Sequence, residues 1–266
     1  MILRLSGVLL AGLGSIGLAG AEQWCAPGVP RHAPHPVTGQ SCPIAGNLHG
    51  TRLAIPAQYL AGPITFQGMD IWSAASVRAG PVHSTFDNAI DDFSIRVRQT
   101  NFRSIETPQD AADFARLGAS AQPQPPENRW LMVDLDARKF SGTGGDFRAA
   151  VQNWLKDDAH WGPFVPDADR WGLAHYRSTR APAATFGDTQ REFFYDREAG
   201  TTFIQCINVV SSLAPHDVNS LCELHFLMAD LGLFVTVGNI QVKDDLADWK
   251  RMENGVRTVL DGFIVP

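Results

Sequence analysis

The fold is decided by three runs of sequence: EFFYDREAGTTFIQCINVV at residues 192–210, LCELHFLM at 221–228 and LFVTVGNIQV at 233–242. They contain four strand-like segments separated by turn-prone residues, which predicts β-strands joined by short connections. The predicted strands are Glu192–Tyr195, Thr201–Val210, Leu221–Met228 and Leu233–Val242. Short connections favour antiparallel pairing. We therefore expect a four-stranded antiparallel meander.

An amphipathic helix follows the meander and is predicted to close it. Its apolar residues recur at spacings of three and four, which places them on one helical face. They are Leu246, Trp249, Met252, Val256, Val259, Leu260 and Phe263. Asp244 and Asp245 lie in the first turn, where the positive end of the helix dipole favours carboxylates. The expected arrangement is a helix packed on one face of the meander.

The first half of the chain mixes strands and helices in irregular order. Asp92–Thr100 alternates apolar and polar residues, as a half-buried strand does, and Thr107 and Pro108 form a helix start. Three further predicted elements are the strands Thr51–Ile55 and Trp130–Leu135 and the helix Phe147–Lys156. This order predicts an α+β fold with a largely antiparallel sheet and helices packed on one face.

The N-terminus has the composition of a secretory signal peptide over residues 1–21. Arg4 precedes an apolar segment, and Ala19-Gly20-Ala21 forms an A-x-A cleavage site. Cleavage would remove Arg4 and change the formal net charge from −6 to −7. This balance argues against a nucleic-acid role, which would need a basic patch. No other stretch suggests stable membrane insertion. The mature chain is expected to comprise an extended, disulfide-pinned arm (22–48), an N-terminal α+β part (49–128) and a C-terminal α+β part (129–266).

The four cysteines of an exported chain are expected to form disulfides. Cys206 and Cys222 lie on neighbouring predicted strands, opposite each other if the loop centres near Ala214. We therefore predict the bridges Cys206–Cys222 and Cys25–Cys42. Metal binding is the alternative, but neither a C-x-x-C motif nor suitably spaced histidines accompany the cysteines.

Catalytic motifs are missing from the sequence. There is no G-x-S-x-G nucleophile elbow and no H-E-x-x-H motif. Asp87, Asp91 and Asp92 could act as paired carboxylates, although an acidic turn before a strand is the simpler interpretation. We therefore predict a binding protein that is not an enzyme and uses no cofactor or metal.

The C-terminal pattern resembles periplasmic immunity proteins that neutralise type VI secretion lipase effectors. The matching segments are Phe193–Asp196, Gly200–Cys206, Cys222–Phe226, Leu246–Trp249 and Val259–Phe263. The resemblance implies a periplasmic immunity protein that binds and blocks a secreted antibacterial lipase or phospholipase. Two alternatives remain: a periplasmic envelope-associated structural or assembly protein, and an unrecognised hydrolase.

The segment His160–Arg170 is predicted to be a partner-binding loop. Rigid aromatic residues and charges on a scaffolded loop dominate many protein interfaces. The candidate contact residues are Trp161, Phe164, Asp167 and Asp169. The alternative is that both aromatic side chains simply cover the end of the sheet.

Overall fold

The computed structural model describes residues 39, 42–69, 84–116, 124–137, 147–156, 163–179, 188–210, 218–240 and 242–266. The strands are β1 (Ile44–Leu48), β2 (Thr51–Ile55), β3 (Thr65–Phe66), β4 (Ile90–Arg98), β5 (Trp130–Asp136), β6 (Phe164–Arg170), β7 (Leu173–Ser178), β8 (Asp188–Tyr195), β9 (Thr202–Val210), β10 (Val218–Met228) and β11 (Leu233–Ile240). The α-helices are α1 (Pro108–Ala115), α2 (Phe147–Lys156) and α3 (Trp249–Asp261). Short 3-10 helices cover Pro126–Asn128 and Lys243–Asp248.

Nine of the described strands form one sheet in the order β3-β4-β5-β11-β10-β9-β8-β7-β6. Every neighbouring pair is antiparallel. The predicted α+β class with its antiparallel meander and closing helix is therefore confirmed. The predicted division after residue 128 falls between β4 and β5, which pair directly. Both predicted parts thus contribute strands to the same sheet.

Helix α3 covers one face of the sheet, which we call the α3 face. Trp249, Met252, Val256 and Leu260 are buried in the same apolar cluster as residues of β4, β5 and β7 to β11. Alternate strand residues point to this face because the side-chain period of a strand is two. The predicted apolar stripe is confirmed, but its first residues form a 3-10 helix rather than a turn of α3.

Helix α2 covers the opposite face, which we call the α2 face. Phe193, Phe203 and Phe234 pack there against Phe147 in a second buried cluster. The rings of Phe193 and Phe203 stack with centroids 5.0 Å apart. Helices therefore cover both faces of the sheet, which differs from the prediction that they pack on one face.

The hairpin β1–β2 lies outside the large sheet and is fixed to the chain's C-terminal residues. The Ala54 amide donates to the Phe263 carbonyl at 2.8 Å, and the Val265 amide donates to the Arg52 carbonyl at 2.9 Å. Strand β1 (Ile44–Leu48) occupies the end of the predicted extended arm and pairs with β2 throughout. The arm's last residues are thus an ordered strand.

The predicted helix start at Thr107 is confirmed in detail. The Thr107 hydroxyl accepts from the Asp110 amide, and the Asp110 carboxylate accepts from the Thr107 amide, which forms a capping box. The apolar side of α1 is less buried than the sequence suggests, since none of its residues is fully buried. The Phe114 and Trp130 rings meet edge to face with centroids 5.9 Å apart.

The disulfide Cys206–Cys222 joins β9 and β10, as predicted. The two residues are directly opposite in the register, and both are buried. Cys42 is also buried and disulfide-bonded, whereas Cys25 lies outside the described residues. The predicted signal peptide lies outside them as well. Among the described helices, none is long and apolar enough to span a bilayer.

Candidate functional site

The predicted partner-binding loop is largely a β-strand, and this part of the prediction is wrong. Phe164–Arg170 forms β6, the edge strand of the sheet, and pairs with β7. The segment contains Pro163 and Pro166, and proline cannot donate in a strand ladder. On an edge strand one side needs no donor, so Pro166 is tolerated there. Trp161 lies outside the described residues.

The turn between β6 and β7 places a tryptophan in an unusual backbone conformation. Trp171 has φ +54° and Gly172 has φ +75°. Positive φ is ordinary for glycine but uncommon and costly for a bulky residue. Trp171 packs on Phe194 with ring centroids 5.0 Å apart, and its carbonyl accepts a 3.1 Å hydrogen bond from the Trp249 indole. These contacts hold the turn against helix α3.

A chain of charged and polar side chains crosses β6, β7 and β8 on the α3 face. The Arg177 guanidinium lies 2.6 Å from the Asp167 carboxylate, which in turn lies 3.6 Å from the His175 ring. The other ring nitrogen of His175 lies 3.2 Å from Glu192, and Glu192 forms an ion pair with Lys243. We call these five residues the edge ion chain.

The middle of the edge ion chain is removed from water. Only 7% of the His175 side chain and 8% of the Glu192 side chain are exposed. The His175 ring also stacks on Phe194 with an interplanar angle of 6°. Buried charges require partners, because a charge left unpaired in the interior is strongly destabilising. The edge ion chain therefore fixes the relative positions of the three outer strands and the 3-10 helix.

Asp167 is held ionised by its local contacts. The Ala168 amide, which donates to the carboxylate at 2.8 Å, together with Arg177 and His175, lowers the pKa of Asp167 below its ordinary value. Two of these contacts are side chains of the edge ion chain. Asp167 is thus committed to contacts within the hairpin, and it is less free to meet a partner than the sequence suggested.

Asp169 and its surroundings form the outward surface of the hairpin. The Asp169 side chain is 64% exposed and lies 4.0 Å from the Arg197 guanidinium. Arg170 lies 3.5 Å from Asp244, whose side chain is 87% exposed. Both ion pairs are accessible to water and are weakly held, since exposed pairs contribute little. The charged groups of these two pairs can therefore leave each other and form ion pairs with a binding partner.

Apolar side chains flank this charged surface. Phe164 is half-buried and packs on Phe193 of the α2 face at a centroid distance of 6.0 Å. Its ring therefore packs on the α2 face of the sheet. Val165 is 42% exposed and, by its register with Arg177, lies on the opposite side of the strand. The described part of the predicted site thus splits between the two faces of β6.

Sequence reasoning missed His175, Glu192 and Lys243. Their ion pairs join β7, β8 and a 3-10 helix that are distant along the chain, and no local motif signals them. The one available signal was the alternation Leu173, His175, which placed the histidine on a buried face. Among the described residues, no group of three histidine, cysteine or acidic side chains could hold a metal ion.

Comparisons with known proteins support the fold. No family model and no curated protein matches the sequence. A solved structure, an immunity protein of the Stenotrophomonas maltophilia type IV secretion system, is similar with a TM-score of 0.50 and 16% sequence identity. The likeness covers 86% of this chain and 97% of that chain. At this identity it concerns the fold, since one fold can carry many functions.

Proposed function

We propose that this protein is an immunity protein, which binds a toxic effector and neutralises it by protein–protein contact. The observation that carries the proposal is the shared fold, which extends over 97% of the chain of a solved immunity protein. The predicted export signal and the Cys206–Cys222 disulfide favour the periplasm as the compartment. The resemblance of the C-terminal sequence supports a finer proposal, namely that the effector is a lipase delivered by type VI secretion.

The β6–β7 hairpin is the proposed contact surface. An inhibitor gains affinity from a rigid surface because little conformational entropy is lost on binding. The edge ion chain and the Trp171 contacts supply that rigidity, while Asp169 and Val165 remain exposed. Asp167 stabilises the hairpin through its contacts with Arg177 and His175 of β7. Of the described residues predicted as contacts, Asp169 is therefore the most exposed and the one we propose meets the effector. Trp161, which lies outside the described residues, stays a proposed contact.

The test is protection of cells from a candidate lipase. A secreted lipase, sought among the genes beside that of this protein, is directed to the periplasm of a host strain, with or without the full chain. We expect the full chain to restore growth and to co-purify with the lipase. Failure of both would contradict the immunity proposal. Binding without inhibition would instead favour an assembly role.

The contact surface is tested with matched charge reversals. Asp169→Lys is expected to reduce protection and lipase binding, whereas Asp261→Lys, an exposed position at the end of α3, is not. Both variants should keep the melting temperature of the original protein. Full protection by Asp169→Lys would show that the effector contacts a surface other than the hairpin. It would not contradict the immunity proposal.

A further inference from the structure

A groove at the C-terminal end of α3 forms a second candidate site, far from the β6–β7 hairpin in the strand order. Its volume is about 540 Å³, within the range of roughly 300 to 1,000 Å³ typical of small-molecule sites. The C-terminal groove, as we call it, is lined by Tyr59, Phe102, Arg103, Thr258, Val259 and Phe263, among other residues. The immunity proposal makes no use of it.

Two locally unfavourable residues build one wall of the C-terminal groove. Phe102 has φ +58°, a conformation that side-chain-bearing residues rarely adopt. Gly255 lies inside α3, where glycine is less favourable than alanine because it loses more backbone freedom. A Cβ atom at position 255 would overlap the Phe102 ring. The missing side chain of Gly255 therefore lets the Phe102 ring pack directly against the helix. The positive φ of Phe102 and the glycine inside α3 both serve this one contact.

Two unfavourable local features at one contact suggest that this part of the structure has a function besides stability. Local rules are most often broken at functional sites, where other interactions compensate. Here Arg251 compensates in part, because its guanidinium lies 5.6 Å from the Phe102 ring centroid and donates to the Gln99 carbonyl at 3.2 Å. The Phe102 wall is thus fixed before any ligand arrives.

A second part of the lining is aromatic and uncharged. The rings of Tyr59 and Phe263 meet edge to face with centroids 5.2 Å apart. Burial is the main cause that raises the pKa of the Tyr59 hydroxyl, and the negative charge of Glu106 raises it further. The hydroxyl therefore stays neutral. An apolar ligand body between these rings and Phe102 would lose water contact on both sides, which is the main source of hydrophobic binding.

Charge in the C-terminal groove is confined to one side. Of the described residues that line it, Arg103 is the charged one. Arg103 lies 3.9 Å from Glu106, and both side chains are more than half exposed, so this pair is weak. The carbonyl end of α3, which also borders the groove, carries partial negative charge. A ligand with one anionic group would therefore place that group at Arg103.

We propose that the C-terminal groove binds a small amphiphile with an apolar body and one anionic group, such as a medium-chain carboxylic acid. The apolar part lies between Phe102 and Phe263, and the anion meets the Arg103 guanidinium. Thr258 is at the surface of this site and its hydroxyl already donates to the Asn254 carbonyl at 2.9 Å. Thr258 is therefore a position where a larger side chain would fill the groove without disturbing the core.

The experiment uses two fluorescent probes with related ring systems and different charge. Anilinonaphthalene sulfonate carries one anionic group, and phenylnaphthylamine carries none. We expect the full chain to bind one molecule of either probe and to release it when decanoate is added. Arg103→Gln is expected to weaken sulfonate binding about fivefold, the upper end for an exposed ion pair, and to leave phenylnaphthylamine binding unchanged.

Two tryptophan variants locate the bound probe. Thr258→Trp is expected to abolish binding of both probes, whereas Gln109→Trp, at an exposed position on α1, is not. Unchanged melting of both variants shows that they fold. Binding by Thr258→Trp equal to that of the original protein would overturn the proposal. So would failure of decanoate to displace the probes, or equal weakening of both probes by Arg103→Gln.

Discussion

On the α3 face, the centre of the sheet and its β6–β8 edge bury different kinds of side chain. The centre buries apolar side chains such as Leu224, Phe226 and Val235 against the helix. At the edge, the same face buries His175 and Glu192. Apolar burial is non-directional and tolerates small shifts, whereas buried ion pairs depend on each partner's position. The centre therefore stabilises the fold, and the edge holds one particular surface geometry.

The largest expected effect is at the centre. Trp249→Ala should lower the free energy of unfolding by about 3–5 kcal/mol, because it removes a buried aromatic ring. It also removes the indole donor to the Trp171 carbonyl. Urea denaturation measures the change, with the exposed neighbour Lys250→Ala as control. A loss below about 1 kcal/mol would mean that α3 contributes little to the core.

Removing the disulfide between β9 and β10 should have a slightly smaller effect. The sequence separation of Cys206 and Cys222 is 16, and closing such a loop stabilises by about 3 kcal/mol in the chain-entropy model. The double variant Cys206→Ala, Cys222→Ala is compared with the original protein under non-reducing conditions. Peptide mapping first establishes the pairing. An unchanged denaturation midpoint would contradict the expected contribution.

A charge-removing change at the edge should cost less than either change at the centre. Glu192→Gln keeps the shape of the side chain but leaves Lys243 without its ionised partner. Loss of one partner of a buried contact costs about 1–3 kcal/mol. The control is Glu198→Gln in an exposed turn. Equal stability of the two variants would show that the edge ion chain does not fix the outer strands.

The smallest effect concerns Asp167 and depends on pH. Because its pKa is lowered in the folded protein, its stabilisation is present above the unfolded pKa of about 3.9 and is lost as the pH falls through the lower folded value. The difference in unfolding free energy between the original protein and Asp167→Asn should therefore vanish on acidification. A difference that grows at low pH would contradict this assignment.

Local patterns predicted most elements of the fold but fewer features of the candidate site. The alternation around Phe93 and the helix start at Thr107 depend on neighbouring residues, so the sequence contains their full explanation. Phe164–Arg170 was mistaken for a loop, because its proline, Pro166, is acceptable in a strand only at a sheet edge. The position of a strand within a sheet is not a local property.

The sequence by itself determined the meander, the closing helix and the Cys206–Cys222 pair, because strand period, helix period and loop symmetry are all local. Only the tertiary structure decided that β6 is an edge strand of the sheet. It also decided that Asp167 is held by contacts within the hairpin, whereas Asp169 is exposed to solvent. It alone joined His175 to Glu192. These features arise where strands distant in sequence meet, and the physical reason is that burial and ion pairing depend on neighbours in space.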